Sequence, residues 1–100
     1  MVTSAYGVQK ITVDDTSGGV ALTLPTILDG SLAPAVAFVT VESNTLRFRY
    51  DGTAPTTTDG HLVTAGGHFI IKGQDDIKKL RMIRTTGASA VVQVTYEKER

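Results

Sequence analysis

The sequence predicts an all-β fold, an antiparallel β-sandwich of about seven or eight short strands with a jelly-roll-like layout, and three observations carry it. Short segments rich in Val and Thr alternate apolar and polar residues with period two, the mark of strands with one face buried. Gly, Asp, Asn and Pro punctuate them at roughly eight- to twelve-residue intervals. Only one stretch, Gln74 to Lys79, carries helical features. A small open barrel is the competing layout. At 100 residues the chain is expected to be a single domain over 1–100.

The elements follow in order. In GVQKITV, Val8, Lys10 and Thr12 share one face and Gln9, Ile11 and Val13 the other. DDTSGG (Asp14 to Gly19) turns the chain, and VALTL places Val20, Leu22 and Leu24 together; the two segments read as a hairpin with a long loop. Pro25 and Pro34 fence a connection without a clear period. AVAFVTVE (Ala35 to Glu42) is apolar on both faces, so something must cover each: the core on one side, and on the other either Ile27 to Leu32 folding over or another subunit. LRFRY is the cleanest alternation, with Leu46, Phe48 and Tyr50 opposite Arg47 and Arg49. HLVTAGG and HFIIKG follow, the second with Phe69 and Ile71 on one face. QDDIKK has acids first and lysines last, which suits the helix dipole over a single turn. LRMIRT and AVVQVTYE complete the set, Val92, Val94 and Tyr96 facing together. The expected core is Leu22, Leu46, Phe48, Phe69, Ile71, Leu80, Val92, Val94 and Tyr96.

Composition narrows the function. Ten basic and ten acidic residues cancel, so no net field draws in nucleic acid. There is no cysteine, hence no disulfide or thiolate metal site to brace a small core, and self-association is the usual substitute. The longest apolar run, Ala33 to Val39, is far short of the ~20 residues that span a bilayer, and the start of the chain lacks the pattern of a secretory signal. No membrane partner is expected, and synthesis in the cytoplasm is.

No catalytic constellation forms in the sequence. The serines lack a nucleophile-elbow context. His61 and His68 could meet across AGG in a hairpin, but two imidazoles are an incomplete zinc set. Asp51 and Asp59 each precede Gly and read as turn residues, as Asp14-Asp15 and Asp75-Asp76 read as turn and cap residues. Arg47, Arg49, Arg81, Arg84 and Lys72 could make a basic face, read here as solvated charge or subunit salt bridges. No enzyme activity, cofactor or metal is expected. The loop DGTAPTTTDG reads as a rigid corner: Pro55 removes a donor and fixes φ, and the threonine hydroxyls satisfy nearby backbone.

Arg47 to Thr56 fits the pattern R-[YF]-x-x-DGT-x-PT, Gly60 to Leu62 opens an apolar return strand, and Ile83 to Tyr96 fits I-R-x-x-G-x-x-A-x-[VL]-x-V-x-Y. In these features the C-terminal half resembles small β-sandwich structural proteins of tailed bacteriophages. A similar strand and turn occurs in the C-terminal module of chitobiase-like sugar enzymes. The phage resemblance implies a non-enzymatic virion component, foremost a capsid decoration (cement) protein lying against the major capsid protein, with a tail or head-tail part as the alternative. A carbohydrate-binding module is the rival class, disfavoured because most of the six aromatics fall on the core alternation. A self-associating chain, a trimer by preference, would use Val36, Phe38, Arg47 and Arg49 as interface residues.

Overall fold

A computed structural model describes residues 3–22, 34–85 and 87–99. Among the described residues eight strands and one helical turn form, in chain order: β1 (Thr3–Val13), β2 (Val20–Ala21), β3 (Val36–Ser43), β4 (Leu46–Arg49), β5 (His61–Val63), β6 (His68–Lys72), α1 (Gln74–Lys79), β7 (Arg81–Arg84) and β8 (Ala90–Glu99). They build two four-stranded sheets, ordered β1-β8-β3-β6 and β2-β7-β4-β5. All pairings are antiparallel. This is a sandwich, not an open barrel, and its strand order is that of a jelly roll.

The order has a simple origin. β1 pairs with β8, β2 with β7, β3 with β6 and β4 with β5, so the chain is one long antiparallel ribbon rolled over itself. Rolling closes β8 against β3 and β7 against β4. The tip of the ribbon is the segment 50–60 between β4 and β5. The expected hairpin of GVQKITV with VALTL does not form: β1 and β2 lie in different sheets, each paired to a strand from the other end of the chain. Local alternation cannot show this, because Thr3 is aligned with Glu99.

Between the sheets lies one apolar core. All nine residues expected there are buried, joined by Ile11, Val13, Ala37, Val39, Val41, Ile77, Met82 and Ala90. Phe48 stacks on Phe69 at a centroid distance of 3.9 Å, tying the two sheets together near the ribbon tip. The Tyr96 hydroxyl, inside the sandwich, donates to Gln9 Oε1 at 2.9 Å, which satisfies a polar group on an otherwise apolar face. Gln74–Lys79 forms one short helix with Ile77 buried beneath it, and the Arg81 guanidinium returns to bond the carbonyls of Lys78 and Leu80. The last carbonyls of so short a helix need such a partner.

The double-sided character of β3 is explained in part. Ala37, Val39 and Val41 enter the core, while Val36, Phe38 and Thr40 face outward. Ile27 to Leu32, proposed as one cover for that outer face, lie outside the described residues, as does Leu24.

Candidate functional site

Two surfaces stand out, on opposite sides of the sandwich. The first is the outer face of the β1-β8-β3-β6 sheet. Register aligns Val8 with Thr95, Thr95 with Phe38 and Phe38 with Ile70, so these four side chains form one row across all four strands. Val8 is 71% exposed and Ile70 49%, with Phe38 half-buried between them. Val36, one pleat along, is buried, and Phe38 packs against the His68 ring at 5.7 Å. Lys10, Gln93, Thr40 and His68 make the next row and Lys72 lies beside Val36, so the apolar row is bordered by polar side chains.

The second surface is the ribbon tip. Arg47 and Arg49 point outward from β4, but neither is a free cation. Arg47 donates from Nε to the Thr57 carbonyl at 3.1 Å and from an η nitrogen to the Gly60 carbonyl at 2.9 Å, clamping the loop onto the β2-β7-β4-β5 sheet. Pro55 is buried; its Cδ lies 3.3 Å from where a Cβ on Gly19 would stand, so the loop reaches across to the start of β2. Gly60 has φ 129°, and a Cβ there would come within 3.1 Å of the Phe48 carbonyl oxygen, so glycine is required where the loop rejoins the sheet. The Thr56 hydroxyl accepts from the amides of Thr58 and Asp59 at 3.3 and 2.9 Å, and the Thr56 amide donates to the Asp59 carbonyl at 2.9 Å. The loop is a hydrogen-bonded corner packed on the sheet, which fits the turn chemistry of its composition.

Arg49 forms a two-pronged ion pair with Asp51, at 3.1 and 2.5 Å. The guanidinium bond, aided by the Thr53 amide, holds the Asp51 carboxyl down at about 2. Arg84 pairs with Asp15 at 3.2 Å. Asp14 accepts from the Thr16 amide at 2.9 Å and from its hydroxyl, which lowers its pKa. Arg47, Arg49, Arg81 and Arg84 therefore all have partners within the chain. The basic face drawn from sequence is not assembled, since Lys72 lies on the other sheet.

Beside this loop opens a cleft of about 490 Å³ lined by Arg49, Tyr50, Asp51, Asp59, Gly60 and His61. Two of its lining side chains, Tyr50 and His61, are rings, and buried Phe48 lies next to both. Phe48 is opposite His61 in the β4–β5 register, their centroids 5.1 Å apart, and Tyr50 lies 6.2 Å from His61 with planes within 24°. Behind them Phe48 and Phe69 anchor the stack in the core.

The four interface residues expected from sequence thus do not form one surface: Val36 and Phe38 lie on the outer face of one sheet, Arg47 and Arg49 on that of the other. The two histidines also stay apart, because β5 pairs with β4 and β6 with β3. Among the described residues no group of three or more His, Asp or Glu side chains is placed to hold a metal ion. Sequence reasoning missed the cleft and the pairing of Tyr50 with His61 in it. Tyr50 shares the parity of Leu46 and Phe48 and reads as core, yet it lies past the end of β4 and is 39% exposed. The signal was available: Asp51-Gly52 and Asp59-Gly60 bracket one turn, and pairing the strands around it brings His61 to Phe48. No protein-family model matches the chain, and no curated protein matches it.

Proposed function

We propose that this protein is a non-enzymatic bacteriophage virion component that works by assembly, and that its role is capsid decoration, with a closed homo-oligomer, a trimer by preference, seated on the major capsid protein. The observation that carries the association half is the row Val8, Thr95, Phe38 and Ile70. It is a largely apolar stripe on the outer face of a sheet, bordered by polar residues, an arrangement that suits a protein–protein contact. The opposite sheet supports the reading by contrast, because there the chain supplies its own cover from the ribbon tip. Phe38 remains an interface residue in this account, whereas Val36, expected as one from sequence, is already buried within the chain. Arg47 and Arg49 lie on the other sheet, where Arg47 bonds the loop carbonyls and Arg49 pairs with Asp51, so they are not part of this stripe.

Jelly rolls recur in viral capsids and in lectins, so the fold is compatible with the virion reading without assigning it. That reading rests on the resemblance of the C-terminal half, and a tail or head-tail position is its variant. It is tested by mass spectrometry of particles purified from the source of the gene. The chain is expected among the virion proteins, in a copy number tied to that of the major capsid protein. Particles complete in capsid and tail proteins but without this chain would overturn it, and a copy number of a few per particle would move the protein to the tail or neck.

A further inference from the structure

We propose that the cleft at the ribbon tip binds a neutral sugar ring, with Tyr50 and His61 against one face of a pyranose and Asp59 together with the Arg49–Asp51 pair bonding its hydroxyls. The inference goes beyond the assembly role and does not depend on it.

The chemistry of the lining selects the ligand. A cleft of about 490 Å³ holds one or two sugar residues and falls within the range of small-molecule sites. The two exposed rings are near-parallel and pre-positioned by the Phe48–Phe69 stack behind them, so little freedom is lost when a flat apolar face docks. The polar groups are planar and multivalent: two carboxylates that accept hydroxyl hydrogens and a guanidinium edge. Gly60 puts backbone without a side chain at the rim.

Charge excludes the nearest competitors. The Arg49 guanidinium is engaged by Asp51 and the Arg47 guanidinium, beside the cleft, by the Thr57 and Gly60 carbonyls, so a phosphate-bearing ligand such as a nucleotide meets two carboxylates and guanidiniums already committed within the chain. A cation over Tyr50 would find Asp51 neutralised by Arg49 and only Asp59 to pair with. A polyhydroxylated neutral ring uses every group present: apolar face on rings, hydroxyls on carboxylates.

The test is a titration of the isotopically labelled protein followed by amide NMR. The probes are the neutral oligosaccharides triacetylchitotriose, maltotriose and cellotriose, with choline and adenosine monophosphate as contrasting ligands. At least one saccharide is expected to give saturable shifts centred on Tyr50, Asp51, Asp59, Gly60 and His61. Tyr50→Ala should weaken that binding roughly tenfold or more, in line with the loss of one aromatic stacking partner. Asp59→Asn should weaken it while leaving the rest of the spectrum in place. The proposal is overturned if none of the three saccharides shifts the cleft at tens of millimolar, if choline or the nucleotide binds there instead, or if Tyr50→Ala binds as tightly as the parent.

Discussion

Replacing Phe48 by Ala tests the packing that both surfaces depend on. Phe48 is 6% exposed, stacks on Phe69 from the opposite sheet, and backs the His61 and Tyr50 rings. A phenylalanine buries about 150–250 Å², and at about 25 cal/mol per Å² the ring's removal from water is worth at most about 4–6 kcal/mol. Alanine keeps part of that, while the cavity left between two sheets adds a cost; measured aromatic-to-alanine changes in cores fall at about 3–5 kcal/mol. Set against a total stability of about 5–15 kcal/mol, the variant should sit near unfolding. Thermal and urea melts followed by circular dichroism should show a drop of more than about 10 °C, since each kcal/mol is worth about 4–8 °C in a domain this size. Phe48→Leu, which keeps most of the volume, should cost about 1–2 kcal/mol and stay folded, while the Tyr50 and His61 ring signals move because the shielding ring is gone. A Phe48→Ala variant that melts within a few degrees of the parent would refute the reasoning, because the ring could not then lie between the sheets.

The loop and the buried hydroxyl give further outcomes. Gly60→Ala should destabilise by about 1–3 kcal/mol, from positive φ and the approach to the Phe48 carbonyl, whereas Gly18→Ala, with φ 87° and open space around it, should lose only the conformational part, about 1 kcal/mol; urea midpoints compare them. Tyr96→Phe strips Gln9 Oε1 of its donor and should cost about 1 kcal/mol, read from the same melts. Asp51 should titrate near 2 by carboxyl-carbon NMR, and Arg49→Gln should return it toward the usual 3.8. Because its folded pKa is depressed, the pair's contribution is complete above about pH 4 and fades as pH falls toward 2, so melting temperature should decline more in the parent than in Arg49→Gln over that window.

Much of the fold was legible because a strand's two faces are written locally. Phe69 and Ile71 against His68 and Ile70, or Val92 and Val94 against Val91 and Gln93, sort into buried and outward sets by alternation alone. Partner choice is not local. The jelly-roll order places the first strand on the last, so adjacent segments such as Ile11–Val13 and Val20–Leu22 look like a hairpin and are not one. The corner at 51–60 was legible in its turn chemistry. Arg47 as its clamp was not, because an arginine on an outward face reads the same whether it meets solvent, a partner or the chain's own carbonyls. The cleft needed two facts at once: that β4 ends before Tyr50, and that His61 stands opposite Phe48.

Sedimentation equilibrium of the parent and of Phe38→Asp tests the central claim, assembly through the outer face of the β1-β8-β3-β6 sheet. Phe38 is half-buried and outside the core, so a charge there should leave the domain folded, as its circular dichroism and melt will report. The parent is expected at an integral multiple of the 10.6 kDa chain at micromolar concentration, three by preference, and Phe38→Asp at the mass of a single folded chain. A parent that remains monomeric at every concentration, or a Phe38→Asp variant that is folded and as fully assembled as the parent, would contradict it.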